Sequence, residues 1–208
     1  MTDVVVYGFP GSTYVHTVRM ALEEKGVAHE VDPLAPGSDE IKALHPFAKI
    51  PAFRHGEVML YETLAICAYV EATFDGPALQ PADAEAHARM LQWISVFNGY
   101  VYRSMVTNIV VQRLMVPRRG GKPDETRIKG AVADVSHQLG LFDGALADVD
   151  WLAGAEISLA DLFLAPAVFY LGMTPEGKEV LPDFAHVVRW YGAIQQRPSF
   201  AATTPSGG

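Results

Sequence analysis

The sequence predicts an α/β domain followed by an all-helical domain, and two observations lead to this assignment. In the first part of the chain, short β-branched runs alternate with amphipathic stretches. From Ala84 onward the strand patterns stop and only helical periodicity remains. The turn-rich segment 77–83 lies between the two patterns and is predicted to be a linker. The predicted domains are therefore residues 1–76 and 84–208.

The N-terminal domain is predicted to contain a β-α-β unit followed by a β-β-α unit. A buried strand at 4–7 leads through Ser12 into a helix that Gly26 ends. Strand, helix and strand in about thirty residues imply a parallel crossover. The remaining predicted elements are a strand at 27–31, a loop at 32–44 with one helical turn near Glu40, a hairpin at 52–61 and a helix at 63–74. This order is the layout of a thioredoxin-like fold.

The C-terminal domain is predicted from helical periodicity alone. Its strongest signal is a stripe of apolar residues at alternating intervals of four and three, namely Ile128, Val132, Val135, Leu139, Phe142 and Leu146. Further helices are predicted at 84–116 with a bend near Gly99, at 158–171, and at 184–196, where Pro198 is expected to stop the last helix.

Composition and charge exclude several classes of function. Of the 208 residues, 50% are hydrophobic and 19% are charged, and the formal net charge is −8. Such a chain is globular, and its acidity argues against binding nucleic acid or an anionic membrane, which requires a basic patch. The N-terminus lacks the order of a signal peptide, and the longest apolar run, 159–173, is too short to span a bilayer. We therefore expect a cytoplasmic protein.

Single residues limit the chemistry further. Cys67 is the one cysteine, so an internal disulfide is excluded, and its place within a predicted helix indicates a small buried core residue. The 7 histidines show no paired ligand spacing, so we predict no metal site. Ser158 and Asp161 have the spacing of a capping box, with Ile157 and Leu162 as its hydrophobic staple. We interpret this motif as a folding element.

The stretch from His45 to Ile66 predicts a binding site for a small peptide. Only X-Pro bonds adopt the cis form at low cost, and a cis bond at Ile50–Pro51 would leave the Ile50 backbone free to pair with an extended peptide. Glu62 and Thr63 lie where a helix begins, a position that favours a carboxylate. Glu62 would also suit an α-ammonium group, and Lys49 would reach a ligand carboxylate. The alternatives are a first-turn glutamate, an N-cap threonine and a solvated lysine.

Ser12 follows the first strand and precedes the first helix, where a hydroxyl would stabilise a bound thiolate. Lowering a thiol pKa from about 8.5 to about 6.5 takes roughly 2.7 kcal/mol, and a charge-assisted hydrogen bond supplies about 1.5–3 kcal/mol. An ordinary N-cap serine is an equally weighted alternative. Four helix-borne side chains would line an apolar pocket or pack in the core, namely Tyr14, Tyr102, Met105 and Tyr170.

Several stretches together resemble the cytosolic glutathione transferases over nearly the whole chain, and most of all their serine-type group of plant phi-class and related bacterial enzymes. In the first half these are Tyr7-Gly8 with Ser12, residues 21–26, Pro46-Phe47 with Lys49-Ile50-Pro51, and Glu62-Thr63 with Ala65-Ile66. In the second half they are residues 151–154, the Ser158–Asp161 motif, Trp190 and Arg197-Pro198.

The resemblance implies a glutathione transferase that conjugates the thiolate of its co-substrate to a hydrophobic electrophile. It implies that Ser12 activates the sulfur, with Tyr7 as the alternative because other classes place a tyrosine at the end of this strand. The Ile50 backbone would pair with the cysteinyl part of glutathione. Three further residues would contact the ligand, namely Lys49, Glu62 and Thr63. Phe47 resembles the aromatic residue that some classes insert into a partner subunit, which implies a homodimer.

Two departures from the family pattern keep other functions open. Ala48 stands where related sequences often have glycine, and the loop before His45 offers no evident match to the basic residue that phi-class enzymes use near the glycine carboxylate. One alternative is other glutathione-dependent chemistry at the same site, as an isomerase, dehalogenase or peroxidase. Another is a non-catalytic binding protein of the same fold.

Overall fold

A four-stranded sheet organises the N-terminal unit of the protein, in a computed structural model that describes residues 3–205. The strands are β1 (Val4–Tyr7), β2 (Glu30–Asp32), β3 (Ala52–His55) and β4 (Val58–Tyr61), and they lie in the order β2-β1-β3-β4. β1 pairs parallel with β2 and antiparallel with β3, and β3 and β4 form an antiparallel hairpin. The predicted thioredoxin-like arrangement is confirmed.

The helices of this unit are α1 (Thr13–Glu24), α2 (Asp39–Leu44), α3 (Thr63–Thr73) and a short C-terminal helix, α10 (Pro198–Thr203). Between α1 and β2, Gly26 has a φ of +67° and the Val27 N–H donates to the Leu22 carbonyl at 2.9 Å. Because Val27 closes the end of the helix in this way, β2 begins later than the strand predicted at 27–31.

The C-terminal helix corrects one prediction. α9 ends at Gln195, before Pro198 as predicted, but it is not the last helix, because Pro198 occupies the first turn of α10. The Arg197 guanidinium holds the Glu24 carboxylate with two bonds, from Nε and Nη2, each 2.6 Å long. The described residues from Gln195 onward therefore cluster with the N-terminal unit, whereas the sequence assigned them to the domain 84–208.

A buried histidine lies beneath this helix. His16 on α1 is fully buried, and its ring packs against the Phe200 ring with centroids 5.5 Å apart. Burial, with a smaller contribution from Arg19, lowers the pKa of His16 from 6.5 to about 3. Between pH 6.5 and about pH 3, His16 therefore binds a proton in the unfolded chain but not in the folded chain. The free energy of unfolding accordingly falls as the pH falls through this range.

We expect His16→Leu to flatten the acid side of the stability profile. Between pH 7 and pH 5 the parent protein loses about 2 kcal/mol of unfolding free energy through His16, and the variant should not show this loss. Urea denaturation at the two pH values measures the difference. His137→Leu is the matched control, because His137 is exposed and should leave the loss in place. An equal loss in His16→Leu and in the parent contradicts the prediction.

The second unit, Gln80–Ile194, is helical as predicted. Its helices are α4 (Ala84–Val96), a π-helix (Phe97–Met115), α5 (Val116–Arg118), α6 (Glu125–Ala145), α7 (Leu159–Gly172), α8 (Pro175–Val180), a 3₁₀ turn (Leu181–Asp183) and α9 (Ala185–Gln195). The predicted helix at 84–116 is thus three consecutive segments. α8 was not predicted, although Thr174 as N-cap and Pro175 in the first turn are a readable start signal.

A π-helix occupies the segment in which a bend was predicted near Gly99. Its backbone bonds join residues five apart rather than four. Its buried side chains accordingly include a row that recurs every four positions, Phe97, Val101, Met105 and Ile109. A spacing of four also occurs within α-helical patterns, so the sequence alone does not distinguish the two helix types.

Asp161 joins separate segments of the helical unit. The predicted capping box is confirmed: the backbone N–H and the hydroxyl of Ser158 each donate to Asp161 Oδ2 at 2.9 Å. The other oxygen, Oδ1, accepts from the Leu152 N–H and the Trp190 indole N–H, each at 2.9 Å. Burial raises the pKa of this fully enclosed carboxyl, and the four donors oppose that rise. One carboxylate therefore connects the loop before α7, α7 itself and α9.

No helix within residues 3–205 is long and apolar enough to cross a membrane. Cys67, on α3, is fully buried, and burial raises the pKa of its thiol to about 12. The predicted core position of this cysteine is confirmed, and its thiol stays protonated at neutral pH.

Candidate functional site

Strand register brings three predicted site segments to one edge of the sheet. Ala52, at the start of β3, pairs with Tyr7 at the end of β1 and with Tyr61 at the end of β4. Three segments therefore meet at this edge. One is the turn from β1 into α1, one is the Ile50–Pro51 pair before β3, and one is the turn from β4 into α3. Segments far apart in sequence are therefore neighbours here.

Gly8 allows Ile50 to lie close to the turn between β1 and α1. A Cβ on Gly8 would lie 2.9 Å from Ile50 Cβ and 2.7 Å from Val15 Cγ2. The Ile50–Pro51 bond is cis, as predicted. Among residues 3–205 no group pairs with the N–H or the C=O of Ile50. An extended peptide can therefore form strand-like bonds with Ile50.

The start of α3 is left uncapped by side chains. Glu62 occupies the N-cap position without a capping bond, and its φ is +69°, in the left-handed region that favours glycine. A non-glycine residue there costs on the order of 1–3 kcal/mol and is typical of ligand-binding positions. The first N–H groups of the helix, from Thr63 to Ala65, have no partner in the described part of the chain. This helix start therefore presents free donors and a partial positive charge to a carboxylate.

Ala48 also has a left-handed backbone, with a φ of +52°. Its N–H donates to the His45 carbonyl at 2.8 Å, and its carbonyl accepts from the Gly37 N–H at 2.9 Å. These two bonds hold the turn that leads to Lys49 and Ile50. Only glycine adopts this conformation without steric cost, so Ala48 carries backbone strain at this position.

We expect Ala48→Gly to stabilise the protein by about 0.5–1 kcal/mol. The left-handed conformation costs alanine about 1–2 kcal/mol, and the substitution removes this cost. Glycine also gives the unfolded chain more conformational freedom, which offsets about 0.4–1 kcal/mol of the stabilisation. Urea denaturation measures the change. Ala133→Gly on the exposed face of α6 is the control with the opposite sign, at a loss of about 1 kcal/mol. A loss of stability in Ala48→Gly contradicts the explanation.

Ser12 is the N-cap of α1, and its hydroxyl hydrogen has no acceptor among residues 3–205. Its Oγ accepts a long bond of 3.5 Å from the Val15 N–H. Because that bond uses only the oxygen, the O–H remains free to donate. The two roles predicted for Ser12, a helix cap and a donor to a thiolate, are therefore compatible.

Tyr7 is engaged elsewhere. Arg54 Nε donates to the Tyr7 hydroxyl at 3.0 Å. Residues alternate along a strand, so Tyr7 shares a face of the sheet with Val5, and Val5 pairs with Arg54 across the ladder. The phenol is thereby directed to Arg54, while Val6, on the opposite face of the sheet, is fully buried.

His45 is a site residue that the sequence did not identify. It is buried at the end of α2, its Nδ1 accepts from the Phe47 N–H at 3.2 Å, and its Nε2 lies 3.9 Å from Glu62 Oε1. A histidine followed by proline in a loop carries no distinct signal of burial. Only the contact across the fold reveals its place beside Glu62.

Other predicted residues vary in their exposure. Lys49 is exposed, and Phe47 exposes 68% of its surface. Met105 is fully buried in the helical unit, where packing accounts for it. Tyr170 has an enclosed hydroxyl without a partner in the described chain, and burial raises its pKa to about 12. Tyr14 and Tyr102 are half-buried, and the pocket that these four residues were predicted to line stays a prediction.

The fold and the site define a class: a thioredoxin-like domain with an unpaired backbone at one edge of its sheet, followed by a helical domain. Comparison with known proteins narrows this class. The glutathione S-transferase N-terminal domain family matches residues 6–78, and the glutathione S-transferase C-terminal domain family matches residues 102–198. The chain belongs to the glutathione S-transferase family.

Individual relatives cover nearly the whole chain. Glutathione S-transferase 3 of Zea mays is 31% identical over 98% of this chain and 94% of its own length. The apo structure of glutathione S-transferase III is similar with a TM-score of 0.88, at 32% identity over 98% of this chain and 96% of that chain. Maize glutathione S-transferase I, in complex with an atrazine glutathione conjugate, has a TM-score of 0.86 at 28% identity over 98% of this chain and 99% of that chain.

Proposed function

We propose that this protein binds glutathione at the sheet edge formed by Ser12, Ile50, Glu62 and Thr63, and transfers the glutathione thiolate to a hydrophobic electrophile. One observation carries the proposal: the strand register brings an unpaired backbone, an uncapped helix start and a free hydroxyl to the same edge. The solved relative with a glutathione conjugate supports the same reaction.

Each part of the site corresponds to one part of the tripeptide. The Ile50 backbone pairs with the cysteinyl residue in strand geometry. The N–H groups at the start of α3, with the Thr63 hydroxyl, receive the γ-glutamyl carboxylate, and the Glu62 carboxylate receives the α-ammonium. Lys49 lies next to Ile50 as an exposed cation and contributes to binding.

The reaction requires the glutathione thiol to lose its proton and its sulfur to form one C–S bond. The glutathione thiol loses its proton to water, and the free Ser12 hydroxyl donates a hydrogen bond that stabilises the thiolate. The thiolate attacks the electrophile, a C–S bond forms and the leaving group departs with the bonding electron pair. The protein forms no covalent bond to either substrate, so its contribution is activation of the thiol and proximity.

Glutathione binding and turnover test this function separately. We expect the protein to be retained on immobilised glutathione and released by free glutathione. We also expect it to conjugate a generic aromatic chloride, a reaction that absorbance measures. Failure of both retention and turnover contradicts the proposal. Retention without turnover of a panel of aromatic and alkyl electrophiles favours the non-catalytic alternative.

The assembly is proposed to be a homodimer in which Phe47 inserts into a partner subunit. Its support is the exposure of this large apolar side chain beside the site. Sedimentation at micromolar concentration should give the mass of two chains, and the mass of a single chain contradicts the proposal. A cytoplasmic location stays a prediction.

A further inference from the structure

The buried His45 side chain lies on one side of Glu62. The His45 side chain is 3% exposed, whereas the Glu62 side chain is 63% exposed. The imidazole ring packs against the Tyr61 ring with centroids 4.8 Å apart, so its orientation is set by the fold. The Glu62 carboxylate thus has a rigid imidazole on its inner side and solvent on its outer side.

The backbone selects the tautomer of His45. Phe47 donates its N–H to Nδ1 at 3.2 Å, so Nδ1 carries the lone pair and the neutral ring carries its hydrogen on Nε2. That hydrogen is on the nitrogen that faces Glu62. If the ring were protonated, the new Nδ1–H would face the Phe47 N–H, and the hydrogen bond from Phe47 would be lost.

The surroundings also keep this imidazole neutral. Burial is the main cause that lowers the pKa of His45, and its effect exceeds that of Glu62, which raises it, while Lys49 lowers it further. At neutral pH the ring is therefore a dipole with its N–H end toward Glu62, and it carries no net charge.

We propose that His45 is a positioning residue that orients the Glu62 carboxylate toward the α-ammonium of glutathione without neutralising it. The 3.9 Å separation exceeds hydrogen-bond length, so the interaction is between the N–H dipole and the carboxylate charge. A cation in the same place would compete with the ligand ammonium, whereas a neutral donor leaves the full negative charge for the ligand. The inference rests on the proposed function, because Glu62 has this role only if glutathione binds.

The test compares glutathione with its deaminated analogue, in which hydrogen replaces the α-amino group. His45→Asn is the informative variant, since its amide oxygen can replace Nδ1 as acceptor for Phe47 but nothing replaces Nε2. We expect its KM for glutathione to rise about fivefold, with kcat within about twofold of the parent. The KM for the deaminated analogue should stay within about twofold, because that ligand has no ammonium for Glu62 to bind.

Two further variants separate positioning from general damage. In a Glu62→Gln background, His45→Asn should have no added effect on KM for glutathione, since the carboxylate on which His45 acts is gone. His55→Asn is the matched control at the far end of β3, where His55 contacts the Tyr69 hydroxyl, and it should leave KM unchanged.

Each outcome decides one proposal. An equal rise in KM for both ligands, or no rise for either, overturns the role of His45 and leaves the glutathione function intact. A rise that persists in the Glu62→Gln background also overturns it. If the parent protein neither binds nor turns over glutathione, the proposed function itself fails.

Discussion

Replacing Asp161 with alanine is expected to lower the free energy of unfolding by about 3–5 kcal/mol and the melting temperature by about 10 °C. The carboxylate is fully buried and accepts four hydrogen bonds, from Ser158, Leu152 and Trp190. Its removal leaves two backbone N–H groups and an indole N–H buried without partners, each at a cost of about 1–3 kcal/mol. Urea denaturation and thermal melting measure the loss.

Asp83→Ala is the matched control for Asp161→Ala. Asp83 is also an aspartate at a helix start, but it is exposed and accepts one bond, from the Ala86 N–H at 2.9 Å. Its loss should cost about 1 kcal/mol. The loss of stability in Asp161→Asn should lie between these two values. The amide oxygen still accepts from one pair of donors, but the amide NH₂ group faces the other pair and cannot accept. Equal losses in Asp161→Ala and Asp83→Ala contradict the role assigned to the buried carboxylate.

Ser12→Ala is expected to reduce kcat/KM for conjugation about 10- to 100-fold near neutral pH. The variant loses the donor to the thiolate, so the pKa of bound glutathione should rise by about 1–2 units. The pH dependence of kcat/KM measures this rise directly, and the activity lost near neutral pH should partly return at high pH. A loss that is the same at every pH would indicate damage to binding instead.

Tyr7→Phe is the control for the thiolate assignment. The Tyr7 hydroxyl accepts from Arg54, so its removal should leave kcat/KM within about threefold of the parent. The alternative assignment makes the opposite prediction. If Tyr7→Phe abolishes conjugation while Ser12→Ala retains full activity, the phenol and not the serine activates the thiol.

Local patterns were sufficient for several motifs that are satisfied by their own neighbours. The capping box was predictable because Ser158 and Asp161 are three residues apart, and their mutual bonds form within one helical turn. The cis bond at Ile50–Pro51 was predictable because proline alone makes that isomer inexpensive. The parallel crossover and the β3–β4 hairpin were predictable from element order and length.

Contacts between distant segments decided the rest. Pro198 can end a helix or begin one, and the bonds between Arg197 and Glu24, far earlier in the chain, place it at a helix start. Trp190 as a donor to Asp161 depends on how α9 packs, which no local spacing encodes. The positive φ of Glu62 likewise follows from its place between β4 and α3 and not from its residue type.

The candidate site shows the same division. The sequence by itself determined the fold class, the cis-proline turn and the place of a serine before α1, because each of these is predicted from residues close together in the chain. Only the tertiary structure decided that the Tyr7 hydroxyl is held by Arg54 and that His45 is buried beside Glu62. The physical reason is that side-chain direction and burial depend on which strands and loops become neighbours, and that is settled only when the sheet forms.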